Sequence, residues 1–289
     1  MFDQIVEDIK NLKIQSAMNI AKRGLEALWE RSEELKTSGF KVESLEPAVE
    51  MLKETRPTEP ALRNVLRLFM KKINHDLSNN EAVYHEIMTM IEASSKKIQE
   101  YGSNLIEDGM IVFTHCHSSY VVNTIIEAKL QGKKFEVYNT ETRPKFQGRI
   151  TAQEIAQNGI KVHHMVDSAA YHVLKKADIF FFGADAINSY GNVFNKVGTK
   201  MFSEIATKYN VKTFCMTSSL KFDTETIFGV NEKIEERSAH EVWDTQDPNI
   251  TIYNPAFDEV EKEFIDAIVS EHGVLSPESF VSTVKEQYA

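Results

Sequence analysis

From about residue 108 onward, short apolar segments alternate with longer segments whose apolar residues follow a helical period. A strand that is buried on both faces appears as a continuous apolar run, because neither face is exposed to water. The apolar runs here are GMIVFTH, FEVYNTE, IKVHHMV, DIFFFGAD and VKTFCMT. Their alternation with helices is typical of βαβ units, so residues 108–289 are predicted to form a Rossmann-like domain built on a parallel sheet.

Residues 1–107 show a different pattern, in which apolar residues recur at helical spacing and strand signals are absent. Val83, Ile87 and Ile91 illustrate it, because their regular spacing places all three on one helix face. These residues are therefore predicted to form an α-helical N-terminal domain. The predicted fold class is α/β, with the helical N-terminal unit followed by the Rossmann-like parallel-sheet domain.

The composition argues against several classes of protein. The 33 Lys and Arg residues against 43 Asp and Glu residues give a net charge of −10, which disfavours nucleic-acid binding. No apolar run approaches the ~18 residues that span a bilayer, and the acidic N-terminus does not resemble a signal peptide. The two cysteines, Cys116 and Cys215, are too few for a disulfide framework. A cytoplasmic protein with no membrane partner is expected.

Polar residues follow five consecutive predicted strands, and ligands bind at such strand ends in an open parallel sheet. The segments are Thr114–Ser119, Glu141–Lys145 with Gln147–Arg149, Asp167–Ser168, Gly183–Ala186 with Asn195–Thr199, and Thr217–Lys221. The basic side chains among them, which could bind a phosphate group, are Arg143, Arg149, Lys196 and Lys221. Neither a Walker loop nor a G-x-G-x-x-G motif is present, which disfavours nucleoside triphosphates and dinucleotides. The pattern therefore predicts a phosphorylated small molecule as the ligand.

Two of the strand-end residues, Cys116 and Asp185, could transfer protons near neutral pH. A cysteine near a helix N-terminus and basic side chains can have a lowered pKa, and an enclosed carboxylic acid can have a raised pKa. Together they would exchange protons with a ligand without any cofactor. Each also has a simpler interpretation, since Cys116 could be a small buried apolar residue and Asp185 could form a turn. Cys215 lies within an apolar run and is expected to be part of the core.

His115 and His117 flank Cys116, which raises the alternative of a metal site. A tetrahedral site needs further ligands, and the sequence offers no second Cys-x-x-Cys or His-x-x-x-His element to supply them. No metal ion is therefore expected in this protein.

Several motifs occur together in an order that resembles one protein family. They are ETRPT, THCHS, TETRPKFQGRITAQE, VDSAAYH, GADAI, NKVGT, SLKFD and NPAFD, and they extend over nearly the whole chain. The family contains archaeal ribose-1,5-bisphosphate isomerase, methylthioribose-1-phosphate isomerase, and the alpha, beta and delta regulatory subunits of translation initiation factor 2B. The segments TETRPKFQG, GADAI and NPAFD, with the short helical N-terminus, look most like the ribose-1,5-bisphosphate isomerase group.

The resemblance implies an aldose–ketose isomerase that converts ribose 1,5-bisphosphate to ribulose 1,5-bisphosphate in nucleotide (AMP) salvage. The isomerases carry a catalytic cysteine and a catalytic aspartate at the positions of Cys116 and Asp185, a pair that the regulatory subunits characteristically lack. The resemblance also implies a homo-oligomer, either a dimer or a hexamer. The substrate contacts that it implies are Arg56, Arg63, Ser118, Arg143, Asn195, Lys196 and Lys221.

One stretch departs from the family pattern. The isomerases usually carry Arg-Gly-Ala in an early helical region that contributes to the substrate pocket, whereas this chain has Gln15, Ser16 and Ala17 there. Loss of the arginine removes a charge-assisted contact worth about 1.5–3 kcal/mol. Two alternatives therefore stay open. One is an isomerase of another pentose 1-phosphate, such as methylthioribose 1-phosphate, and the other is a non-catalytic regulatory subunit like those of initiation factor 2B.

Overall fold

The computed structural model describes residues 1–11, 13–14, 16–39, 41–74, 76–231 and 234–288. The chain divides into two compact units, one comprising residues 1–94 with 220–222 and the other comprising the rest of the chain. The predicted domain boundary at residue 108 stays a prediction. In chain order, the helices and strands are α1 (Phe2–Lys10), α2 (Ala17–Thr37), α3 (Glu46–Thr55), α4 (Pro60–Ile73), α5 (Asn80–Ser103), β1 (Ile111–Thr114), α6 (Ser119–Leu130), β2 (Glu136–Thr140), α7 (Gln147–Gln157), β3 (Val162–Met165), α8 (Ala170–Leu174), β4 (Ile179–Gly183), β5 (Ala186–Ile187), β6 (Val193–Lys196), α9 (Thr199–Lys208), β7 (Lys212–Met216), β8 (Phe257–Val260), β9 (Ala267–Ser270), β10 (Gly273–Leu275) and α10 (Pro277–Tyr288).

The first unit is built from amphipathic helices. In α1 the residues Phe2, Ile5 and Ile9 are buried at helical spacing, which is the apolar stripe that the sequence pattern predicts. Helices α2 and α4 approach closely at Gly24, where a Cβ atom would lie only 2.3 Å from Leu62 Cδ1. A larger residue at this position would therefore require the Leu62 side chain to move.

The second unit is built on a mostly parallel sheet. Its strand order, across the described residues, is β10-β9-β7-β4-β1-β2-β3, and β10 alone runs antiparallel to its neighbour. The central strand β4 is buried along its whole length because Phe180, Phe181 and Phe182 pack on both faces of the sheet. This arrangement confirms the predicted fold class and the parallel order of the five predicted strands.

A smaller antiparallel sheet, with the order β5-β6-β8 in the described part of the chain, accompanies the main sheet. Asn195 and Lys196 lie within β6 of this sheet rather than in a loop after β4, where the sequence pattern put them. They pair with Asp258 and Phe257 of β8, more than 60 positions further along the chain. A short chain segment gives no local sign of such a distant partner.

Candidate active site

The carboxyl ends of β1, β2, β3 and β4 lie side by side at one edge of the main sheet. Strand β1 pairs in parallel with β2 and β4, so Thr114 stands opposite Asn139 on one side and Phe181 on the other. Strand β2 pairs in parallel with β3, with Thr140 opposite Met165. The residues that follow these strands, including the predicted catalytic pair, are therefore delivered to the same edge.

Cys116 lies in the turn between β1 and α6, where its backbone adopts the left-handed conformation with φ at 66°. Its N–H donates to Thr142 Oγ1 at 2.9 Å, and its carbonyl accepts from Thr151 Oγ1 at 2.8 Å. Left-handed backbone is disfavoured for residues other than glycine, and it persists only where surrounding contacts enforce it. The peptide units on both sides of Cys116 are thus fixed by side chains from neighbouring elements.

Burial raises the pKa of the Cys116 thiol to about 11, while the positive charge of Lys196 lowers this pKa and the negative charge of Asp185 raises it. The lowered pKa expected for Cys116 is therefore wrong, because desolvation outweighs the attraction of Lys196. The thiol is protonated at neutral pH. The influence of both charges on the thiol also indicates that the three groups converge.

The end of β4 approaches the start of α6 very closely. A Cβ atom on Gly183 would lie 2.8 Å from both Cβ and Oγ of Ser118, so the glycine is needed for this approach. Asp185 follows two residues later, and its N–H donates to the carbonyl of Phe194 at 2.8 Å. The backbone of the half-buried Asp185 is thereby attached to β6 directly after the end of β4.

Asn195 and Lys196 on β6 are buried, with exposed fractions of 5% and 6%. Asn195 Nδ2 donates to Thr199 Oγ1 at 2.9 Å, and Lys196 Nζ lies 5.2 Å from the centre of the Phe257 ring. A buried ammonium group beside a thiol can stabilise a phosphate group or a developing oxyanion more strongly than an exposed one, because little water screens it.

Arg143 follows β2 and has an exposed side chain. Its guanidinium donates to the Val242 carbonyl at 3.0 Å, and its backbone N–H donates to Asp167 Oδ2 at 2.7 Å. The backbone of Arg143 is therefore fixed at the sheet edge, while its charge lies at the surface. The predicted site residues that this unit delivers to the same edge are Cys116, Ser118, Arg143, Asp185, Asn195 and Lys196.

The remaining predicted residues belong to the helical unit. Arg56 is buried at the end of α3 and forms an ion pair with Glu59 at 3.1 Å. Arg63 is buried on α4 and donates to the carbonyl of Pro57. These two guanidinium groups thus lie in one small region of the unit, between α3 and α4.

Lys221 lies in a short 3-10 turn, Ser219–Lys221, and is buried. Asn64 on α4 donates to the carbonyls of Leu220 and Phe222, each at 2.8 Å, and so fixes the backbone on both sides of Lys221. Within the helical unit, Lys221 is therefore attached to the residue that follows Arg63.

The early stretch of the helical unit is only partly described. Ser16 is exposed and has a left-handed backbone with φ at 66°, and Ala17 is the buried first residue of α2. Gln15 lies outside the described residues. The predicted roles of all site residues stay predictions.

His115 is a residue at the sheet edge to which the sequence pattern assigns no role. Its Nδ1 lies 2.6 Å from Thr140 Oγ1 and its Nε2 lies 3.0 Å from the Val197 carbonyl. A carbonyl oxygen can only accept, so Nε2 carries the proton and Nδ1 accepts from the hydroxyl. Burial lowers the pKa of His115 to about 4, and the ring is neutral. It connects the end of β1 to the ends of β2 and β6.

Glu271 is a second residue whose part at the sheet edge the sequence pattern does not predict. It follows β9 and accepts hydrogen bonds from the Ser219 hydroxyl at 2.6 Å and the Ser219 N–H at 3.1 Å. Its position directly after an apolar run, AIVS, is the same signal that identifies the other strand ends. The run is only four residues long in the structure, which is short for a strand pattern.

Within the described residues, no helix is both long and apolar enough to cross a membrane. In the same part of the chain, His, Cys, Asp and Glu side chains form no group of three that could hold a metal ion.

The chain matches the model of the initiation factor 2 subunit family over residues 11–277. It is also similar to a protein of Thermococcus kodakarensis named ribose 1,5-bisphosphate isomerase. The two are 35% identical, and the alignment covers 99% of this chain and 94% of the relative.

Two solved structures from Pyrococcus horikoshii have a similar fold. One is described as translation initiation factor eIF-2B, with a TM-score of 0.82 and 25% identity over 96% of this chain and 97% of that chain. The other is described as 5-methylthioribose 1-phosphate isomerase, with a TM-score of 0.80 and 25% identity over 99% of this chain and 88% of that chain.

Proposed function

This chain belongs to the initiation factor 2 subunit family. Within this family, we propose that it is an aldose–ketose isomerase that converts ribose 1,5-bisphosphate to ribulose 1,5-bisphosphate. The observation that carries the proposal is the half-buried Cys116, whose turn is fixed by hydrogen bonds to Thr142 and Thr151. The charges of Lys196 and Asp185 both act on its thiol. A thiol, a carboxylate and an ammonium group in one enclosed place are suited to moving protons on an anionic substrate. The name of the Thermococcus relative supports the choice of substrate.

The chemistry of this substrate defines what the protein must supply. A phosphate on C1 closes the sugar as a ring, because the anomeric hydroxyl is not free. An acid must protonate the ring oxygen so that the bond from C1 to that oxygen breaks. A base must then remove the proton from C2, and C1 must receive a proton while the C2 hydroxyl becomes the ketone.

The two catalytic groups can share a single proton between them. At rest the proton lies on Cys116, because burial raises the pKa of the thiol to about 11. Transfer of this proton to the Asp185 carboxylate produces a thiolate and a carboxylic acid at once, and the net charge of the pair is unchanged. These are the two forms that the reaction needs at its start.

In the remaining steps, Asp185 protonates the ring oxygen, and the Cys116 thiolate removes the proton from C2. The C2 hydroxyl then gives its proton to the Asp185 carboxylate as it becomes the ketone, and the thiol delivers its proton to C1. Return of the proton from Asp185 to Cys116 restores the resting state. Lys196 stabilises the negative charge that develops on the C2 oxygen as the ketone forms.

Turnover of ribose 1,5-bisphosphate by the purified full chain tests this function. The ketose product is followed by nuclear magnetic resonance, which also distinguishes it from hydrolysis products. We expect Cys116→Ser and Asp185→Asn to lower kcat by at least about a hundredfold, the usual contribution of a general acid or base. Cys215→Ala is the matched control, because Cys215 is the other cysteine and is buried in β7. Near-normal turnover by either active-site variant would exclude the assignment.

Methylthioribose 1-phosphate is the second candidate substrate. It is supported by the similar structure described as 5-methylthioribose 1-phosphate isomerase. It also lacks a 5-phosphate and so needs fewer cationic contacts, which suits Gln15 at the position where the isomerases usually carry an arginine. Comparison of kcat/KM for the two sugars with the same enzyme preparation decides between them. Binding of either sugar without turnover would instead indicate a regulatory subunit.

The substrate contacts proposed in the parallel-sheet unit are Ser118, Arg143, Asn195 and Lys196, and those proposed in the helical unit are Gln15, Ser16, Ala17, Arg56, Arg63 and Lys221. We also propose that the protein is a homo-oligomer, either a dimer or a hexamer. A solved structure of the same fold, described as the tetrameric eIF2B-beta2-delta2 complex from C. thermophilum, supports association between chains of this fold.

A further inference from the structure

A lateral chain of hydrogen bonds crosses the ends of β3, β2 and β1. Asp167 Oδ1 accepts from the Thr142 N–H at 2.8 Å, and Thr142 Oγ1 accepts from the Cys116 N–H at 2.9 Å. Asp167 lies two residues beyond β3, Thr142 lies two residues beyond β2, and Cys116 lies two residues beyond β1. The parallel register of the three strands therefore places these residues in one row.

Two members of this row have an unusual backbone conformation. Cys116 has φ at 66° and Thr142 has φ at 63°, both in the left-handed region. This region is especially unfavourable for a β-branched residue such as threonine, so local propensity does not explain its presence. What the threonine supplies is a hydroxyl oxygen at the position where the Cys116 N–H needs an acceptor.

Asp167, which follows β3, fixes the left-handed conformation of Thr142 by binding the backbone of the turn after β2. Its second carboxylate oxygen accepts from the Arg143 N–H at 2.7 Å, so one side chain binds two consecutive peptide groups of the turn after β2. A carboxylate is suited to this role because both of its oxygens accept, whereas an asparagine would direct an NH₂ group at one of the two N–H groups.

We propose that Thr142, held in its left-handed conformation by Asp167, is a positioning residue that fixes the orientation of the Cys116 side chain. The inference rests on the proposed function for its effect on catalysis, but the positioning itself does not depend on the identity of the substrate. Thr142 Oγ1 accepts from the Cys116 N–H and also lies 3.4 Å from Nδ1 of the neutral His115, so both contacts of the hydroxyl are to the turn that carries Cys116.

Replacement of the hydroxyl tests the first contact. We expect Thr142→Ala to lower kcat about tenfold or more with a small change in KM, because a modest displacement of a catalytic group lowers the rate of the chemical step strongly. Thr142→Ser keeps the hydroxyl and should restore kcat to within about twofold of the parent enzyme. Thr213→Ala is the matched control, since Thr213 is a buried threonine near the start of β7, at the edge of the sheet away from the proposed site.

Alkylation of Cys116 by iodoacetamide gives a second readout that needs no substrate. Burial raises the thiol pKa, so a side chain released from its position should become more solvated. We therefore expect the pH of half-maximal alkylation to fall in Thr142→Ala and to stay unchanged in Thr142→Ser and Thr213→Ala. This measurement stays decisive if the protein does not isomerise ribose 1,5-bisphosphate, so failure of the proposed function and failure of the positioning role are distinguishable.

A double-mutant cycle tests whether Asp167 acts through Thr142. The Asp167 charge itself raises the pKa of the Cys116 thiol, so kcat rather than the alkylation midpoint is the readout of this cycle. Asp167→Asn should lower kcat as Thr142→Ala does, and the double variant should add little to either single change. Additive losses of kcat, or an alkylation midpoint in Thr142→Ala equal to that of the parent, would overturn the proposal. A Thr142→Ser enzyme as slow as Thr142→Ala would overturn it too. If Thr142→Ala does not fold, the Asp167→Asn and Thr142→Ser enzymes still provide the comparison.

Discussion

At the scale of single residues, the pKa of the Cys116 thiol depends on burial and on the charges and hydrogen bonds around it. Burial has the largest effect and raises the pKa. Asp185 and Asp167 raise it further, through their negative charge. Lys196 and a backbone hydrogen bond with His117 lower it. An isolated thiol in this position would be inert at neutral pH. In the proposed mechanism, the Asp185 carboxylate accepts the thiol proton when the substrate is bound, so that the thiolate forms without a change in net charge.

The first prediction concerns how the reactivity of Cys116 depends on pH. The thiolate is the form that is alkylated, so the rate should rise with pH until about 11, the raised pKa of the thiol. Lys196→Met removes the charge that lowers this pKa and should move the midpoint upward, which slows alkylation at any lower pH. Asp185→Asn removes the charge that raises it and should move the midpoint downward. Mass spectrometry of the modified peptide measures both shifts.

The control for this experiment is Cys116→Ser, in which Cys215 is the only remaining cysteine. Cys215 is fully buried in β7 and should be alkylated slowly at every pH at which the protein stays folded. A midpoint for Cys116 at or below the ordinary value of 9.0 would contradict the dominant effect of burial.

The same residues show how far sequence reasoning extends at this scale. Cys116 and Asp185 could be proposed as a pair because both follow apolar runs that predict parallel strands. The direction of the Cys116 pKa shift could not be predicted, because it depends on how much protein surrounds the thiol. The left-handed backbone of Thr142 could not be predicted either, since threonine ordinarily avoids that conformation and no local pattern marks the exception.

At the scale of secondary-structure elements, the distance between β4 and α6 depends on one glycine. A Cβ atom on Gly183 would lie 2.8 Å from Cβ and Oγ of Ser118, which is shorter than any normal packing distance. The Ser118 side chain precedes the first turn of α6, and Asp185 follows β4. A change in the spacing of these two elements therefore changes the site as well as the packing.

Gly183→Ala should accordingly reduce both stability and activity. We expect a loss of about 1–3 kcal/mol in the free energy of unfolding, as for other overpacked positions, and a fall in kcat of about tenfold or more. Chemical denaturation and steady-state kinetics on the same preparation measure the two effects.

Gly109→Ala provides a control for the cost of adding a methyl group. Gly109 has φ at 87° and no atom within 4 Å of its Cβ position, so alanine there should cost about 1–2 kcal/mol through backbone strain alone. Its kcat should stay unchanged. A Gly183→Ala enzyme with the kinetics of the Gly109→Ala enzyme would show that the close approach of β4 and α6 does not matter for catalysis.

The elements themselves were predictable to different degrees. Helices such as α4 and α5 have a sustained apolar period, and β4 is a continuous apolar run, so their type follows from local sequence. Strand β5 comprises only Ala186 and Ile187, which is too short to form a recognisable pattern. Strands β6 and β8 depend on each other although they are distant in the chain.

At the scale of the whole molecule, the segment from Thr224 to Ala256 exposes several large apolar side chains. Its described residues form neither an α-helix nor one of the strands β1–β10. Three of its aromatic side chains are largely exposed: Phe228 at 85%, Trp243 at 57% and Tyr253 at 79%. Buried aromatic side chains are major contributors to the free energy of association. We therefore expect this segment to lie in a contact between copies of the chain.

The segment is also joined to the sheet edge that carries the proposed site. The Val242 carbonyl accepts from the Arg143 guanidinium at 3.0 Å, and Glu241 lies 3.7 Å from Lys145. A contact between copies at this segment would restrict the turn after β2. Association and catalysis should therefore weaken together when the contact is broken.

Light scattering of the purified protein tests this expectation, and the mass should be a multiple of the 33.0 kDa chain. Phe228→Glu and Trp243→Glu should each lower the mass, because a charged side chain in an apolar contact is costly to desolvate. Leu130→Glu is the matched control, since Leu130 is 76% exposed at the end of α6 and should not change the mass. A parent protein with the mass of one chain would contradict self-association. If Phe228→Glu and Trp243→Glu leave the mass of an oligomeric parent unchanged, the contact lies elsewhere on the surface.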